Sequence, residues 1–465
     1  MIRLFNRYWA RPALLSLFVE GVLLFWAVRL AFELRLGIGP GTVPDESIVK
    51  LDATVFALLG LLCLYANGLY DFGGRLSSRR DLLIRPLGTF ITLAVACGTL
   101  YYLFPMVQTG RGVFIIALVL GLAFVLAWRV VLRWWIQRAE GFAERILIVG
   151  ADEKAVDIAR ETLHRRHLGY RIVGFLDDDP LLQGMSILNP RVIGTTSHAC
   201  ELALQHDVTR VVVAAMDYRG RLSMDALLAC KNHGIRVEEG SSYYEKLTGK
   251  IMLEGLRKSW LIFSDGFVAS RGTRFVKRLL DLLVAAVGLI VALPVMLLVA
   301  LAVKLDSPGP VFFRQDRVGC GGREFTLWKF RSMRNDAEEG GARWAVQGDP
   351  RVTRVGRFIR KTRLDELPQL WNVLVGHMSL VGPRPERRMF VNQLTERCPW
   401  YEQRLVVRPG LTGWAQIKAP YASTFEESIE KLKFDLYYVK NMSLELDLSI
   451  LLSTARIVFL GRGAR

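Results

Sequence analysis

Cysteine is scarce and unpatterned. There are six in 465 residues, Cys63 and Cys97 lie inside apolar runs, and no two stand at C-x-x-C spacing. Neither a disulfide framework nor a zinc site is indicated, and a reducing compartment suits the water-facing parts. No G-x-x-x-x-G-K-[ST] string occurs, which removes P-loop chemistry. A zinc finger, an aromatic-glycine RNA-binding signature and a long basic tail are also missing, so the net charge of +17 is not a nucleic-acid signal. Anionic lipid or phosphorylated substrates remain as partners for that charge. Hydropathy favours them: 51% of residues are hydrophobic and mean hydropathy is +0.26, above an ordinary soluble domain. The length leaves room for about three domains.

Four apolar stretches, approximately residues 12–34, 48–70, 82–104 and 112–135, each approach the twenty or so residues that cross a hydrocarbon core. Arg3, Arg7 and Arg11 precede the first, Arg75, Arg79, Arg80 and Arg85 flank the turn between the second and third, and Arg133, Arg138 and Arg145 follow the fourth. The other two loops hold few basic residues, chiefly Arg35, Lys50 and Arg111. By the positive-inside rule the N-terminus and the chain after residue 136 are cytoplasmic. The first stretch exceeds a signal-peptide core and no small-residue cleavage pattern follows it, so a retained anchor is expected. Glu20 and Arg29 lie within it, where interhelical pairing or snorkelling is expected rather than catalysis.

From Arg145 the pattern becomes RILIVGADEKAVDIARETLHRR, then YRIVGFLDDD, then TRVVVAA: buried strand, helix, strand and a later strand of a parallel α/β domain over residues 141–268. The first turn, Gly150-Ala151-Asp152-Glu153-Lys154, keeps one glycine of G-x-G-x-x-G and brings two acids to the place of a pyrophosphate. Asp177 stands where an acid could meet a ribose, while the run Asp177–Asp179 before Pro180 equally makes a solvated turn. A regulatory, dimerising or supporting domain is the plainer expectation.

A second hydrophobic region, RFVKRLLDLLVAAVGLIVALPVMLLVALAVKLDSPGPVFF, carries Pro294 inside its apolar core. Proline removes one helical hydrogen bond and crowds the preceding turn. A kinked fifth crossing would export everything after it. A helix over 275–305 that breaks at Pro294 and returns keeps Lys277, Arg278 and Lys304 at one interface, suited to anionic headgroups. Farther on, RKTRLDELPQLWNVLVGHMSLVGPRPE places Asp365 and Glu366 side by side at a helix start, with arginines upstream and Arg384 downstream. That combination suits phosphate chemistry. Pro368 suits the first turn of the helix that follows, with Asp365 at its cap; a plain capping role for Asp365 is the alternative. Arg351, Arg354 and Arg357 beside Val352, Val355 and Phe358 make a basic stripe next to an apolar one, either on the membrane surface or on a solvated face. The run at 444–460, with Glu445 and Asp447, is expected to pack on the C-terminal domain or rest in the interface, and Tyr437 and Tyr438 lie in the charged helix before it.

From about residue 272 onward the chain resembles the bacterial sugar transferase family, polyprenyl-phosphate hexose-1-phosphate transferases. The strings are KRLLDLLVAAVGLIVALP, SPGPVFFRQDRVG, FTLWKFRSM, DPRVTRVGRFIRKTRLDELPQLWNVLVGHMSLVGPRPE and RPGLTGWAQI. The resemblance implies a fold of four N-terminal transmembrane helices (1–140), a Rossmann-like parallel α/β middle domain and a mostly α catalytic domain (269–465) with a re-entrant membrane helix broken at Pro294. A serine often precedes that proline in the family; here it is Leu293.

The same resemblance implies transfer of a hexose 1-phosphate from a UDP-sugar to undecaprenyl phosphate with release of UMP and use of Mg2+, as the first membrane step of exopolysaccharide or O-antigen-type repeat assembly. It assigns Asp365 as the nucleophile that carries the phosphosugar and Glu366 as magnesium ligand. Arg360, Arg384 and Lys329 become the phosphate-handling cations, and Arg331, Gln369, Pro383 and Pro385 substrate-side residues. Glucose and galactose phosphates are the expected cargo, inner-membrane lipids the surroundings, and a homodimer the expected assembly. Two alternatives stay in view. A membrane-anchored nucleotide-sugar dehydratase or epimerase would need an intact glycine loop and a Tyr-x-x-x-Lys pair, and no tyrosine here is followed four residues later by lysine. A noncatalytic scaffold would have no use for the acid pair among its arginines.

Overall fold

The computed structural model describes residues 2–459 except 5–6, 10, 37–45, 71–78, 104–109, 139–143, 167–168, 215–222, 255, 257–263, 265, 268–269, 335–348 and 420–423. Arg75 of the basic loop therefore lies outside the described residues, as do the side chains of Arg3, Arg7, Arg11, Arg79, Arg80 and Arg138. The chain divides into two compact units, Met1–Leu4 with Tyr8–Thr248, and Phe5–Arg7 with Gly249–Arg465.

After two short strands that pair with each other, Ile2–Leu4 and Arg7–Trp9, come α1 (Arg11–Leu36), α2 (Glu46–Ala66), α3 (Arg79–Leu103) and α4 (Arg111–Arg138). Leu24, Phe56, Leu93 and Val125 form the inside of this bundle, while Phe18, Leu58, Val95 and Val119 are more than 60% exposed. Helices apolar inside and out belong in lipid. Among the described residues α1, α2, α4 and the helix Arg271–Asp306 of the second unit are long and apolar enough to cross a membrane; α3, 25 residues long, completes the four apolar N-terminal helices. The second helix ends at Ala66, short of residue 70, because Gly68 turns left-handed (φ 66°) and the Leu69 N–H closes back on the Leu64 carbonyl at 3.0 Å. Glu20 is paired across the bundle as expected, 2.9 Å from Arg129 and accepting from Tyr70 Oη at 2.6 Å. Arg29 pairs within its own helix with Glu33.

The rest of the first unit is a five-stranded parallel sheet: β1 (Glu144–Val149), β2 (Tyr170–Leu176), β3 (Val192–Gly194), β4 (Arg210–Val213) and β5 (Arg236–Glu239), in spatial order β3-β2-β1-β4-β5. Helices α5 (Glu153–His164), α6 (Ala199–Gln205), α7 (Met224–Asn232) and α8 (Gly240–Thr248) accompany it. Ile146, Leu147, Ile148 and Val149 are wholly buried, which is why this strand reads as an unbroken apolar run. Asp152 caps α5, accepting from Ala155 N at 2.9 Å. The acids after β2 serve their own turn: Asp177 and Asp179 accept from the N–H groups of Asp179 and Leu181, and Asp178 holds Thr196 through backbone and hydroxyl.

The second unit begins with α9 (Arg271–Asp306) and an antiparallel pair, β6 (Phe312–Val318) and β7 (Glu324–Phe330). Then come α10 (Arg354–Lys361), α11 (Gln369–Val375), β8 (Ser379–Val381), α12 (Arg388–Arg397), β9 (Gly410–Thr412) parallel to β8, α13 (Trp414–Lys418), α14 (Phe425–Asn441) and α15 (Leu444–Phe459). Pro294 does not divide the first helix into two elements; residues 271–306 form one helix that runs through it. Its missing N–H still deprives the Ile290 carbonyl of a partner, leaving a point at which the helix can bend.

Both flanks of α9 are fastened to this same unit. At the start Lys277 binds Asp447 at 2.6 Å, Arg278 donates to the Val373 and Leu374 carbonyls that end α11, and Asp281 accepts from Leu380 N. At the finish Val299 and Val303 pack on Phe330 and Ile359, and Asp306 accepts from Val355 N. Around Pro294, Ile290, Val291, Leu293, Leu297 and Leu298 are exposed. The last helix packs as expected, with Leu446 and Ile450 in the core and Asp447 buried against Lys277 and Tyr438. Arg351 lies before α10 rather than on it, bound to Asp349 at 2.6 Å, so the basic face of that helix is Arg354 and Arg357 beside an exposed Phe358.

Candidate active site

Asp365 and Glu366 lie in a 3-10 turn, Leu364–Glu366, between α10 and α11. Asp365 is therefore not the cap of a helix; Pro368 occupies that position before Gln369. The turn is entered through Arg363, a non-glycine residue in the left-handed region at φ 61°. Such conformations cost of order 1 kcal/mol or more and persist where the surroundings over-determine them. The next helix is locked to β7 by Asn372, whose amide accepts from Trp328 N at 3.1 Å and donates to the Thr326 carbonyl at 2.8 Å. That clamp brings Lys329 to the acid pair: its Nζ lies 3.4 Å from Glu366 Oε1. Arg384 reaches the same oxygen at 2.8 Å.

The two neighbouring carboxyls are driven apart electrostatically. Burial, reinforced by the charge of Glu366, pushes the Asp365 carboxyl up to about 6 against the pull of Lys329, Arg360 and Arg384. Burial acts on Glu366 in the same sense, but Arg384 and Lys329 outweigh it and hold that carboxyl far below the usual range. Burial lowers the Lys329 ammonium, with Glu366 opposing. The site therefore holds one permanently ionised acid and one whose basicity is raised toward neutrality, the separation expected where two carboxyls have different tasks.

The loop presenting Arg384 is held at four successive carbonyls. Pro383 O accepts from Gly410 N (2.9 Å), Arg384 O from Arg404 (2.8 Å), Pro385 O from Arg317 (3.1 Å) and Glu386 O from Val318 N (2.9 Å). A side chain at Gly410 would stand 2.0 Å from Gly382 N, so the two glycines let β8 and β9 approach. Arg404 is itself buried, bound to Asp435 at 2.8 Å and donating to Tyr401 Oη at 2.7 Å. Arg317, Arg404 and Asp435 escape sequence reasoning because nothing local marks them.

Of the other expected site residues, Arg360 makes no side-chain hydrogen bond or ion pair among the described residues, yet its charge is felt at Asp365. Gln369 is buried and its Nε2 has no partner among the described residues, a donor one turn beyond Asp365. Arg331 has different work: its guanidinium donates to the Ser307, Pro308 and Val303 carbonyls at the end of α9.

Residues 272–461 match the family described as bacterial sugar transferase. An undecaprenyl-phosphate glucose phosphotransferase of Komagataeibacter xylinus is 32% identical over 471 residues, covering 91% of this chain and 85% of that protein. The chain belongs to the bacterial sugar transferase family. Residues 65–236 also match a CoA-binding domain family. A UDP-N-acetylgalactosamine-undecaprenyl-phosphate N-acetylgalactosaminephosphotransferase of Aeromonas hydrophila is 47% identical over 48% of this chain and 52% of its own length. A UDP-glucose:undecaprenyl-phosphate glucose-1-phosphate transferase of Escherichia coli K12 is 44% identical over 41% and 42%. The chain thus spans about half the length of these two relatives. The apolar N-terminal helices and their positive-inside charge make this family member a multi-pass inner-membrane protein whose C-terminal unit is cytoplasmic.

Proposed function

We propose that the C-terminal unit transfers a sugar 1-phosphate from a UDP-sugar to undecaprenyl phosphate, releasing UMP, as the first membrane step of polysaccharide repeat-unit assembly. The observation that carries this reading is the 3-10 turn holding a carboxyl of raised basicity beside a permanently ionised one, between Lys329 and Arg384. In the first step an oxygen of ionised Asp365 attacks the sugar-bearing phosphorus. The bond from that phosphorus to the bridging oxygen breaks and UMP departs with the electron pair. In the second, a phosphate oxygen of the lipid attacks the same phosphorus, the bond to Asp365 breaks and the carboxylate is regenerated. Lys329 and Arg384 offset charge on the phosphoryl oxygens, and Gln369 offers a further donor. Pairing as a homodimer belongs to this reading through the family resemblance.

Magnesium fits the site together with substrate phosphates and not by itself. No group of three His, Cys, Asp or Glu side chains able to hold a metal occurs among the described residues. Glu366 takes both its cation contacts on Oε1, leaving Oε2 as a ligand, and one or two carboxylates suffice when phosphates and water complete the octahedron. When bound there the ion would supply positive charge to the diphosphate.

The assay is incubation of the purified chain with undecaprenyl phosphate, Mg2+ and UDP-glucose, UDP-galactose or UDP-N-acetylgalactosamine, reading UMP. The two partial-length relatives name different sugars, hence the panel; silence with every donor overturns the reading. Because the reactive form of Asp365 is the anion, log kcat/KM should climb with unit slope below pH 6 and level off above about 7. A profile flat from pH 5 to 7 would remove Asp365 as nucleophile.

The re-entrant course of α9 is part of the proposal, supported by the attachment of both flanks to one compact unit. A straight helix would carry Lys277 about 40 Å from Asp306, across a core about 30 Å thick. Single cysteines placed before residue 275 and after residue 305 in a cysteine-free background should label from the same side in sealed vesicles. Labelling from opposite sides would make the helix a crossing.

A further inference from the structure

The parallel sheet of the first unit carries a cavity of about 510 Å³, within the range of small-molecule sites. It lies at the edge of the sheet opposite to the usual one. Ligands of open α/β sheets occupy the carboxyl ends of the strands, whereas Glu144, Tyr170, Arg210 and Arg236, which line this cavity, are the first residues of β1, β2, β4 and β5. At the carboxyl edge the acids after β2 serve their own turn and Asp152 caps its own helix.

The floor of the cavity is a built polar network. Arg210, only 7% exposed, binds Glu144 through Nε at 3.0 Å and through a terminal nitrogen at 2.5 Å, and also pairs with Glu238, which in turn holds Lys246. The guanidinium lies 5.6 Å from the centroid of Tyr243, whose hydroxyl meets Thr162 Oγ1 at 3.2 Å. One arginine, one lysine and two glutamates cancel. At the rim, exposed Lys231 and Arg236 have no ion pair among the described residues, so the lining is two positive charges in excess. Ile235, Val237 and Leu247 supply apolar wall.

Each component has a chemical counterpart. Carboxylates already held by cations are fixed acceptors for hydroxyl groups, the apolar wall suits the face of a ring, and two cations at the mouth without an ion pair among the described residues suit a phosphate dianion. We propose that this amino-edge cavity binds a small phosphorylated, polyhydroxylated ring compound, with its hydroxyls toward Glu144 and Glu238 and its phosphate toward Lys231 and Arg236. A nucleotide and a sugar phosphate share that chemistry.

The test is calorimetric titration of the full chain in detergent with UMP, AMP, glucose 1-phosphate and inorganic phosphate as separate probes. At least one organic probe should bind, and Lys231→Glu/Arg236→Glu should weaken it tenfold or more, while Arg384→Ala, in the other unit, leaves that component intact. A preference for UMP or AMP over glucose 1-phosphate assigns a nucleotide, and the reverse a sugar phosphate. Loss of binding in Arg384→Ala with retention in the double variant, or no binding by any probe at millimolar concentration, overturns the proposal. Inorganic phosphate binding as tightly as the organic probes would also overturn it, by reducing the site to an anion patch. Because both substituted residues are exposed, the double variant should keep the melting temperature of the parent.

Discussion

Asp365→Asn should release UMP at least about four orders of magnitude more slowly than the parent, the scale on which removal of a covalent nucleophile is felt. The amide copies the shape of the carboxyl but cannot form the acyl phosphate. Incubation with donor alone should accordingly leave a phosphosugar adduct on the parent chain and none on the variant. The same substitution should make the protein more heat-resistant at neutral pH. The carboxyl stands near 6 in the fold against an ordinary 3.8, so the folded state favours the protonated form. Its contribution to stability is whole below about pH 4 and is lost as pH rises through 6. Above that the ionised group costs about 1–3 kcal/mol, a cost the neutral amide avoids. Melting curves in detergent should show the variant gaining on the parent between pH 4 and pH 7.5. UMP release at the parental rate would end the nucleophile assignment, and an unchanged melting difference across that pH range would end the electrostatic one.

Arg404→Met should destabilise the second unit by about 3–5 kcal/mol, the usual result of stranding one member of a buried ion pair. Arg404 and Asp435 each leave only 5% of their side chains exposed, and burial raises the Asp435 carboxyl even with its partner present. The loss extends to the active site because the same guanidinium holds the Arg384 carbonyl. Two readouts should therefore separate. Adding Asp435→Leu to Arg404→Met should recover part of the melting temperature, since no lone charge then remains. UMP release should stay depressed, since the carbonyl of Arg384 still lacks its donor. Full recovery of both would mean that Arg404 supports the core and not the loop.

The parts legible in sequence are those whose signal is local. Apolar runs of spanning length gave α1 and α4, the unbroken run ILIV gave a buried parallel strand, and Glu20 within an apolar helix gave an interhelical pair. The adjacent acids and Arg384 were readable because they sit in compact strings. What escaped depends on chain segments far apart. Arg404 and Arg317 matter only because folding lays them against the carbonyls of residues 384 and 385. Arg331, two residues beyond Lys329 in one strand-end string, turns to the end of α9 instead of the acids. Asp365 was expected at a helix cap, where the dipole would favour its anion. It lies inside the 3-10 turn instead, three positions before the cap residue Pro368, and burial beside Glu366 sets its basicity in the opposite direction.

The four carbonyls around Arg384 are gripped by groups at positions 410, 404, 317 and 318, so no short stretch of nascent chain can place that guanidinium. Competence arrives only when distant segments have closed on one another, late in maturation. A half-made polypeptide, already lodged in the bilayer by its N-terminal helices, thereby lacks a placed Arg384 until the whole C-terminal body has assembled.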